Sequence, residues 1–231
     1  YGNYQGYQRL YHLLYVPLPG GDLATKKPCR MALAELWANG IPWQEALEPF
    51  RALSEEERTI LNAQLEKGIN SPLTSSMGRL FDAAASLIGI RQSINYEAQA
   101  AIELEATIEP NEVGSYALEI DGNIIQTKRL LESLILDIRK GVAKPILATR
   151  FHNSIINMVK DVCKKIRAET KCSTVALSGG VWQNRYLLNN TEIALEKNGF
   201  NVLIHQNVPA NDGGIALGQA MIAENKIHPL N

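Results

Sequence analysis

The 231-residue chain carries three Gly-Gly loops: Pro19-Gly20-Gly21-Asp22, Ser178-Gly179-Gly180 and Asp212-Gly213-Gly214. Adjacent glycines let backbone N–H groups approach a phosphate or ribose with no Cβ in the way, and a following helix favours an anion at its N-terminus. None of the three fits the P-loop pattern or GxGxxG, and a tight turn alone accounts for any one of them. Three in one chain, two of them at junctions into helices, point to a nucleotide or phosphate site at strand ends. Asp212 has two readings: an N-cap for the helix that follows, which spacing alone favours, or a carboxylate that holds a metal or polarises a substrate group. Gln183 and Asn184 fall in the first turn of the helix after Ser178, where they bond a ligand or face water.

Other reactive types are less promising. Arg79 and Asp82 are three apart on one helical face and can pair with each other. His12, His152, His205 and His228 are scattered, and no two have i, i+4 spacing, so a self-contained histidine metal site is not expected. His152 reads as a partly buried helix histidine. Cys29, Cys163 and Cys172 have no neighbouring His to activate them as nucleophiles.

The elements that must position these residues follow from local signals. Residues 13–22 read as an extended piece ending in a loop. A helix is expected from Pro28 to the Asn39-Gly40 stop signal. A second starts at Ser54, where Ser54 and Glu57 have capping-box spacing, and ends at Lys67-Gly68. A third over 75–89 and a fourth over 96–106 complete a helical block. Tyr116–Ile120 and Ile124-Ile125 flank Asp121-Gly122, which reads as a type I′ hairpin turn. A helix over about 128–140 and a longer one over about 145–169 come next, the longer with Ile155, Ile156, Val159, Val162, Cys163 and Ile166 on one face. Thr174–Leu177 and Asn201–Ile204 then read as short buried strands, each leading to a helix, over about 183–198 and 215–225. This β-α-β-α tail has the grammar of a parallel α/β lobe.

Composition narrows the class. Lys+Arg 23 against Asp+Glu 24 gives 23 − 24 = −1, so neither nucleic acid nor an anionic membrane is an expected partner. No apolar run approaches the roughly 20 residues that span a bilayer. Three cysteines without CxxC spacing argue against a disulfide framework and for a reducing, cytoplasmic compartment. The N-terminus has neither Met nor a signal-peptide pattern, which reads as a piece of something longer.

Six stretches together carry a resemblance: Pro19–Asp22, Ser75-Ser76-Met77-Gly78-Arg79-Leu80-Phe81-Asp82-Ala83-Ala84, Tyr96-Glu97-Ala98-Gln99-Ala100, Phe151-His152-Asn153, Ser178-Gly179-Gly180-Val181-Trp182-Gln183-Asn184, and the run from Asn211-Asp212-Gly213-Gly214 to Gln219. In order and spacing, over nearly the whole chain, they resemble the C-terminal part of the HypF carbamoyltransferases. That family is similar in this region to the tRNA threonylcarbamoyl-transferases. The resemblance implies an α/β fold of the actin-like ATPase (ribonuclease H-like) class. It implies a loop segment over 1–26 leading from a first lobe, a helical insertion over 27–110 and the second lobe over 111–231. It further implies transfer of a carbamoyl group from carbamoyl adenylate, made upstream from ATP and carbamoyl phosphate, to the C-terminal cysteine of HypE, for the cyanide ligands of [NiFe] hydrogenase. Carried over residue by residue, Gly20, Gly21, Asp22, Ser178, Gly179, Gly180, Asn184 and Gly213 would contact the nucleotide (ATP or AMP), and Asp212 would be the catalytic ligand of a divalent metal. The family's His-x-x-x-His pair and first-lobe Asp are not in this chain, so it is expected to fold but not to transfer alone. Two alternatives stay open: a tRNA-modifying relative, which the near-neutral charge disfavours, and a non-catalytic nucleotide-binding or docking fragment.

Overall fold

The computed structural model describes residues 1–227, so His228 lies outside the described residues. Short strands open the chain: β1 (Gly2–Asn3), β2 (Gly6–Tyr7), β3 (His12–Leu13) and β4 (Val16–Pro17). Next come helices α1 (Asp22–Lys26), α2 (Pro28–Ala38), α3 (Glu48–Arg51) and α4 (Glu55–Lys67), strand β5 (Leu73–Thr74), and helices α5 (Met77–Ile88) and α6 (Gln99–Ala106). The hairpin β6 (Glu119–Asp121) and β7 (Ile124–Gln126) precedes α7 (Lys128–Arg139) and α8 (Lys144–Thr170). The tail is β8 (Thr174–Leu177), α9 (Arg185–Glu196), β9 (Asn201–Ile204) and α10 (Ile215–Ile227). Packing divides the chain into two compact units, one of residues 13–154 and the other of residues 1–12 with 155–231.

In the unit of residues 13–154, α2 is the central helix. Its sequence, PCRMALAELWA, is apolar almost all round, and Met31, Leu33, Leu36 and their neighbours are buried. The apolar face of α5 covers it, with Leu80, Phe81, Ala84 and Leu87 fully buried. Each large side chain removed from water this way contributes about 1.5–3 kcal/mol. Phe81 meets Phe151 edge to face at 4.9 Å. Arg30, buried on α2, donates from Nε to the Pro19 carbonyl at 3.2 Å and also bonds Gln64. Asp82 and Arg79 pair as their spacing predicts, at 2.8 Å, with the Asp82 side chain only 2% exposed. Burial pushes Asp82 up to about 6, against the opposing pull of Arg79.

The capping box at Ser54 is present in both directions: Glu57 N–H donates to Ser54 Oγ at 3.1 Å, and Ser54 N–H to Glu57 Oε2 at 3.0 Å. Ser54→Ala is expected to lower stability by about 1 kcal/mol, read as a shift in the urea midpoint with an unchanged slope. The hairpin turn departs from expectation. Asp121 pairs with Ile124, so Gly122 and Asn123 are the central residues rather than Asp121 and Gly122. Only Gly122 has positive φ, at 57°, which is the II′ sense and not I′, where both would be positive.

In the other unit, β8 and β9 are parallel, in register from Thr174↔Asn201 to Leu177↔Ile204. Leu177, Leu195 and Phe200 form its core, and Cys163, Val175, Trp182, Leu188, Val202 and Ile204 pack around them. Alternation explains the strands: Leu177 is buried, while Thr174 and Ala176 are exposed. The buried face of α9 is Leu187, Thr191 and Leu195, at helical spacing, and Leu195 joins this core.

Candidate functional site

The carboxyl ends of β8 and β9 open onto two glycine turns. From β8 the chain enters Ser178-Gly179 and then a 3-10 turn over Gly180–Gln183. Gly179 sits at φ 108°, ψ 157°, a region open to glycine and almost nothing else. Its N–H donates to the Ala210 carbonyl at 2.8 Å, which ties this turn to the segment ahead of Asp212. Trp182 anchors the turn from beneath by packing against the core. Asn184 is the N-cap of α9, accepting from Leu187 N–H at 2.8 Å, so its Oδ1 is committed to the helix.

The second turn is the 3-10 segment Asp212–Gly214, ahead of α10. Its cap is Asn211, not Asp212: Asn211 Oδ1 accepts from Gly213 N–H at 3.1 Å, and Asn211 O from Gly214 N–H at 3.0 Å. The capping duty expected of Asp212 is therefore carried one residue earlier, and the Asp212 side chain is left exposed. An added Cβ at Gly213 would meet Pro209 Cγ at 2.9 Å, and one at Gly214 the Pro209 carbonyl oxygen at 2.8 Å. Both glycines are thus required by close packing on Pro209. Gly180 differs, because a Cβ there would come no nearer than 3.9 Å to Asn211 Cβ. The fold tolerates a side chain at Gly180; only something entering from outside would be obstructed.

Ser178, Gly179, Gly180, Asn184, Asp212 and Gly213 thus all belong to the unit of residues 1–12 and 155–231, on neighbouring turns at one end of a parallel strand pair. Gly20, Gly21 and Asp22 belong to the other unit. There Gly20 N–H donates to Asn70 O at 2.7 Å and Gly21 N–H to Leu18 O at 3.0 Å, so both amides are spent on the chain itself. Asp22 is the exposed first residue of the five-residue helix α1.

Among the described residues no three His, Cys, Asp or Glu side chains are grouped to hold a metal ion. Asp212 alone does not fit a complete divalent site, which takes several ligands. Two of the three thiols are poor nucleophiles: burial raises Cys29, and raises Cys163 to about 11. His152 is a core residue, fully buried beside Phe81 and Phe151, with Nδ1 2.7 Å from Ala148 O. Burial lowers it to about 4, so it is neutral.

His205, on which the motifs placed no weight, lies at this same mouth, with Nε2 3.0 Å from Ser178 Oγ. The signal that finds it is register: it follows β9 as Ser178 follows β8.

The chain is similar to known proteins over nearly its whole length. Residues 1–219 match the family described as the carbamoyltransferase Kae1-like domain, second subdomain. The carbamoyltransferase HypF of Synechocystis is 35% identical over 234 residues, covering 93% of this chain and 30% of that protein. A crystal structure of full-length HypF in the phosphate- and nucleotide-bound form matches all of this chain, with 38% identity and a TM-score of 0.89. The crystal structure of T. kodakarensis HypF matches 95% of this chain, with 29% identity and a TM-score of 0.81. The chain spans about 30% of each of those longer proteins. The fold is the mixed α/β, actin-like class that the motifs imply. No helix among the described residues is long and apolar enough to cross a membrane. Fold, motif order and sequence identity agree, and the chain belongs to the HypF carbamoyltransferases, in which it matches the second subdomain of the Kae1-like domain.

Proposed function

We propose that this chain is the nucleotide-holding subdomain of a longer carbamoyltransferase that passes a carbamoyl group from carbamoyl adenylate to the C-terminal cysteine of HypE. The observation that carries the reading is the joined pair of turns, Ser178–Gln183 and Asp212–Gly214, at the carboxyl ends of β8 and β9. Parallel strands place ligands at that edge. The bound phosphate and nucleotide of the full-length HypF structure support nucleotide as the ligand class. In the transfer, a sulfur–carbon bond forms at the carbamoyl carbon, the carbon–oxygen bond to the adenylate phosphate breaks, and AMP leaves. AMP is a good leaving group, so the protein's work is orientation and charge stabilisation. The thiolate comes from the partner, consistent with the protonated thiols of Cys29 and Cys163. Asp212 is proposed as one metal ligand, the remainder coming from a first lobe. The segment 27–110 is proposed as an insertion in the second lobe.

The test is to incubate the complete protein with ATP, carbamoyl phosphate and HypE, then weigh HypE by mass spectrometry. A carbamoyl adduct on the terminal cysteine is expected, and none from the 231-residue chain supplied with pre-formed carbamoyl adenylate. An unmodified HypE in the first arm overturns the reading. Binding has its own test. Gly180→Val should weaken AMP binding to the chain more than about tenfold, the scale of one or two lost contacts. Its melting temperature should stay close to that of the parent, because the fold has room for the side chain. An unchanged AMP affinity in calorimetry would mean that Gly180 serves only the turn.

A further inference from the structure

The register that pairs Leu177 with Ile204 brings the next residue of each strand, Ser178 and His205, off the sheet at the same edge. Both side chains are exposed there, and the imidazole Nε2 is 3.0 Å from the serine Oγ. The Ser178 backbone is held in place by its neighbours, Leu177 in the core and Gly179 bonded to Ala210. What remains to be set is the direction of the hydroxyl proton, and His205 is the side chain in contact with it.

Resting on the nucleotide reading above, we propose that His205 is a positioning residue for Ser178, donating its Nε2–H to Ser178 Oγ so that the serine hydroxyl proton points outward to an anionic phosphate oxygen of the bound nucleotide. A hydroxyl has one proton to donate and two lone pairs. If the serine spent its proton on the imidazole, only lone pairs would face the ligand, and a phosphate oxygen, itself an acceptor, would be repelled. With the proton on Nε2, the imidazole fills one lone pair and the serine proton is directed at the phosphate. The two donors then act in series, and the bond to the ionised oxygen is of the stronger, charge-assisted kind.

The test uses the 231-residue chain and two probes, AMP and adenosine, in calorimetry. His205→Phe keeps a ring but has no N–H. It should weaken AMP binding about five- to tenfold, the scale of one hydrogen bond. It should leave adenosine, which has no phosphate, unaffected. His205→Gln carries an amide donor and should hold AMP affinity within about twofold of the parent. In a Ser178→Ala background His205→Phe should cost nothing further, because the group it positions is gone. An undiminished loss in that background, an equal loss on adenosine, or no loss at all overturns the proposal. Gly180→Val separates it from the reading beneath it. If Gly180→Val weakens AMP and His205→Phe does not, the inference alone fails. If the parent chain binds no AMP, the nucleotide reading fails and the inference with it.

Discussion

Asp212→Ala in the complete carbamoyltransferase is expected to slow carbamoyl transfer to HypE by at least about a hundredfold, the scale seen when a preorganised charge-stabilising group is removed. The reason is that Asp212 has no other duty. Asn211 caps the turn with both its side chain and its carbonyl, and the Asp212 carboxylate is exposed. Deleting an exposed carboxylate with no capping role changes stability by only about 0.5 kcal/mol in either direction. A large loss of transfer with an unshifted melting temperature would therefore separate a chemical role from a structural one. Formation of carbamoyl adenylate, which the proposed reading places upstream of this chain, should continue at the parent rate. Equal loss of both half-reactions, or a transfer rate near that of the parent, would count against the proposed role. Asn211→Ala should behave oppositely, lowering stability first, because it removes the cap itself.

The second large effect is on stability and concerns Glu35. Its side chain is buried on α2, where Thr127 Oγ1 donates to Oε2 at 3.3 Å and Asn39 Nδ2 lies 3.5 Å away. Burial pushes its carboxyl up to about 7, and the hydrogen bond from Thr127 offsets only part of this. The folded state therefore keeps a proton that the unfolded chain, near 4.5, has already released. Stability attributable to Glu35 is full below about pH 4.5 and is lost as pH rises towards 7. At about 1.4 kcal/mol per pH unit, the loss comes to about 3 kcal/mol. Glu35→Gln removes this titration while preserving an acceptor for Thr127. Relative to the parent it should gain stability steadily between pH 5 and 7 and remain about 2–3 kcal/mol ahead at pH 8, once the cost of burying the amide is allowed for.

The difference between variant and parent is the quantity to follow, because two other buried groups titrate in the same window. Asp82, raised to about 6, loses stability with rising pH as Glu35 does. His152, lowered to about 4, gains it, since the unfolded imidazole takes a proton below about 6.5. Both cancel in the subtraction. Urea titrations at pH 5 and pH 8, followed through tryptophan fluorescence, to which Trp37, Trp43 and Trp182 all contribute, would measure it. A variant that tracks the parent at both values would show that Glu35 finds a compensating partner when ionised.

Much of this structure is written in local signals. Asn39-Gly40, the Ser54 and Glu57 pair, Gly68, Gly89 and Gly141 each act through neighbours in sequence, so the ends of α2, α4, α5 and α7 follow from them within a residue or two. The strands β8 and β9 and their helices are legible for the same reason. Elements fixed by distant partners are not. Two-residue strands such as β4 and β5 have no periodicity to read and exist through the pairing of Val16 with Thr74 and Pro17 with Leu73. The short helix α1 lies in the segment read as loop, and α3 in a stretch to which the local signals give no element. At the site, the motifs identify the glycine turns but misplace the cap by one residue. A 3-10 turn intervenes before α10, and Asn211 and Asp212 are equally good caps by type. His205 is invisible to motif reading because its partner is 27 positions away and only the parallel register joins them.

The cysteines have a practical consequence for anyone who would watch this protein bind. Cys29 is sealed in the core, and both it and Cys163 are raised towards the protonated, unreactive form. Cys172 is half-buried, just ahead of β8, while Ser178 stands at the other end of that strand. A maleimide dye should therefore couple first at Cys172. Six residues of extended chain separate it from Ser178, about 20 Å. That is close enough for a fluorescent nucleotide at the glycine turns to exchange energy with the dye, and far enough for the label not to occupy the mouth. The native sequence thus offers its own attachment point for an optical binding assay, with no engineered residue.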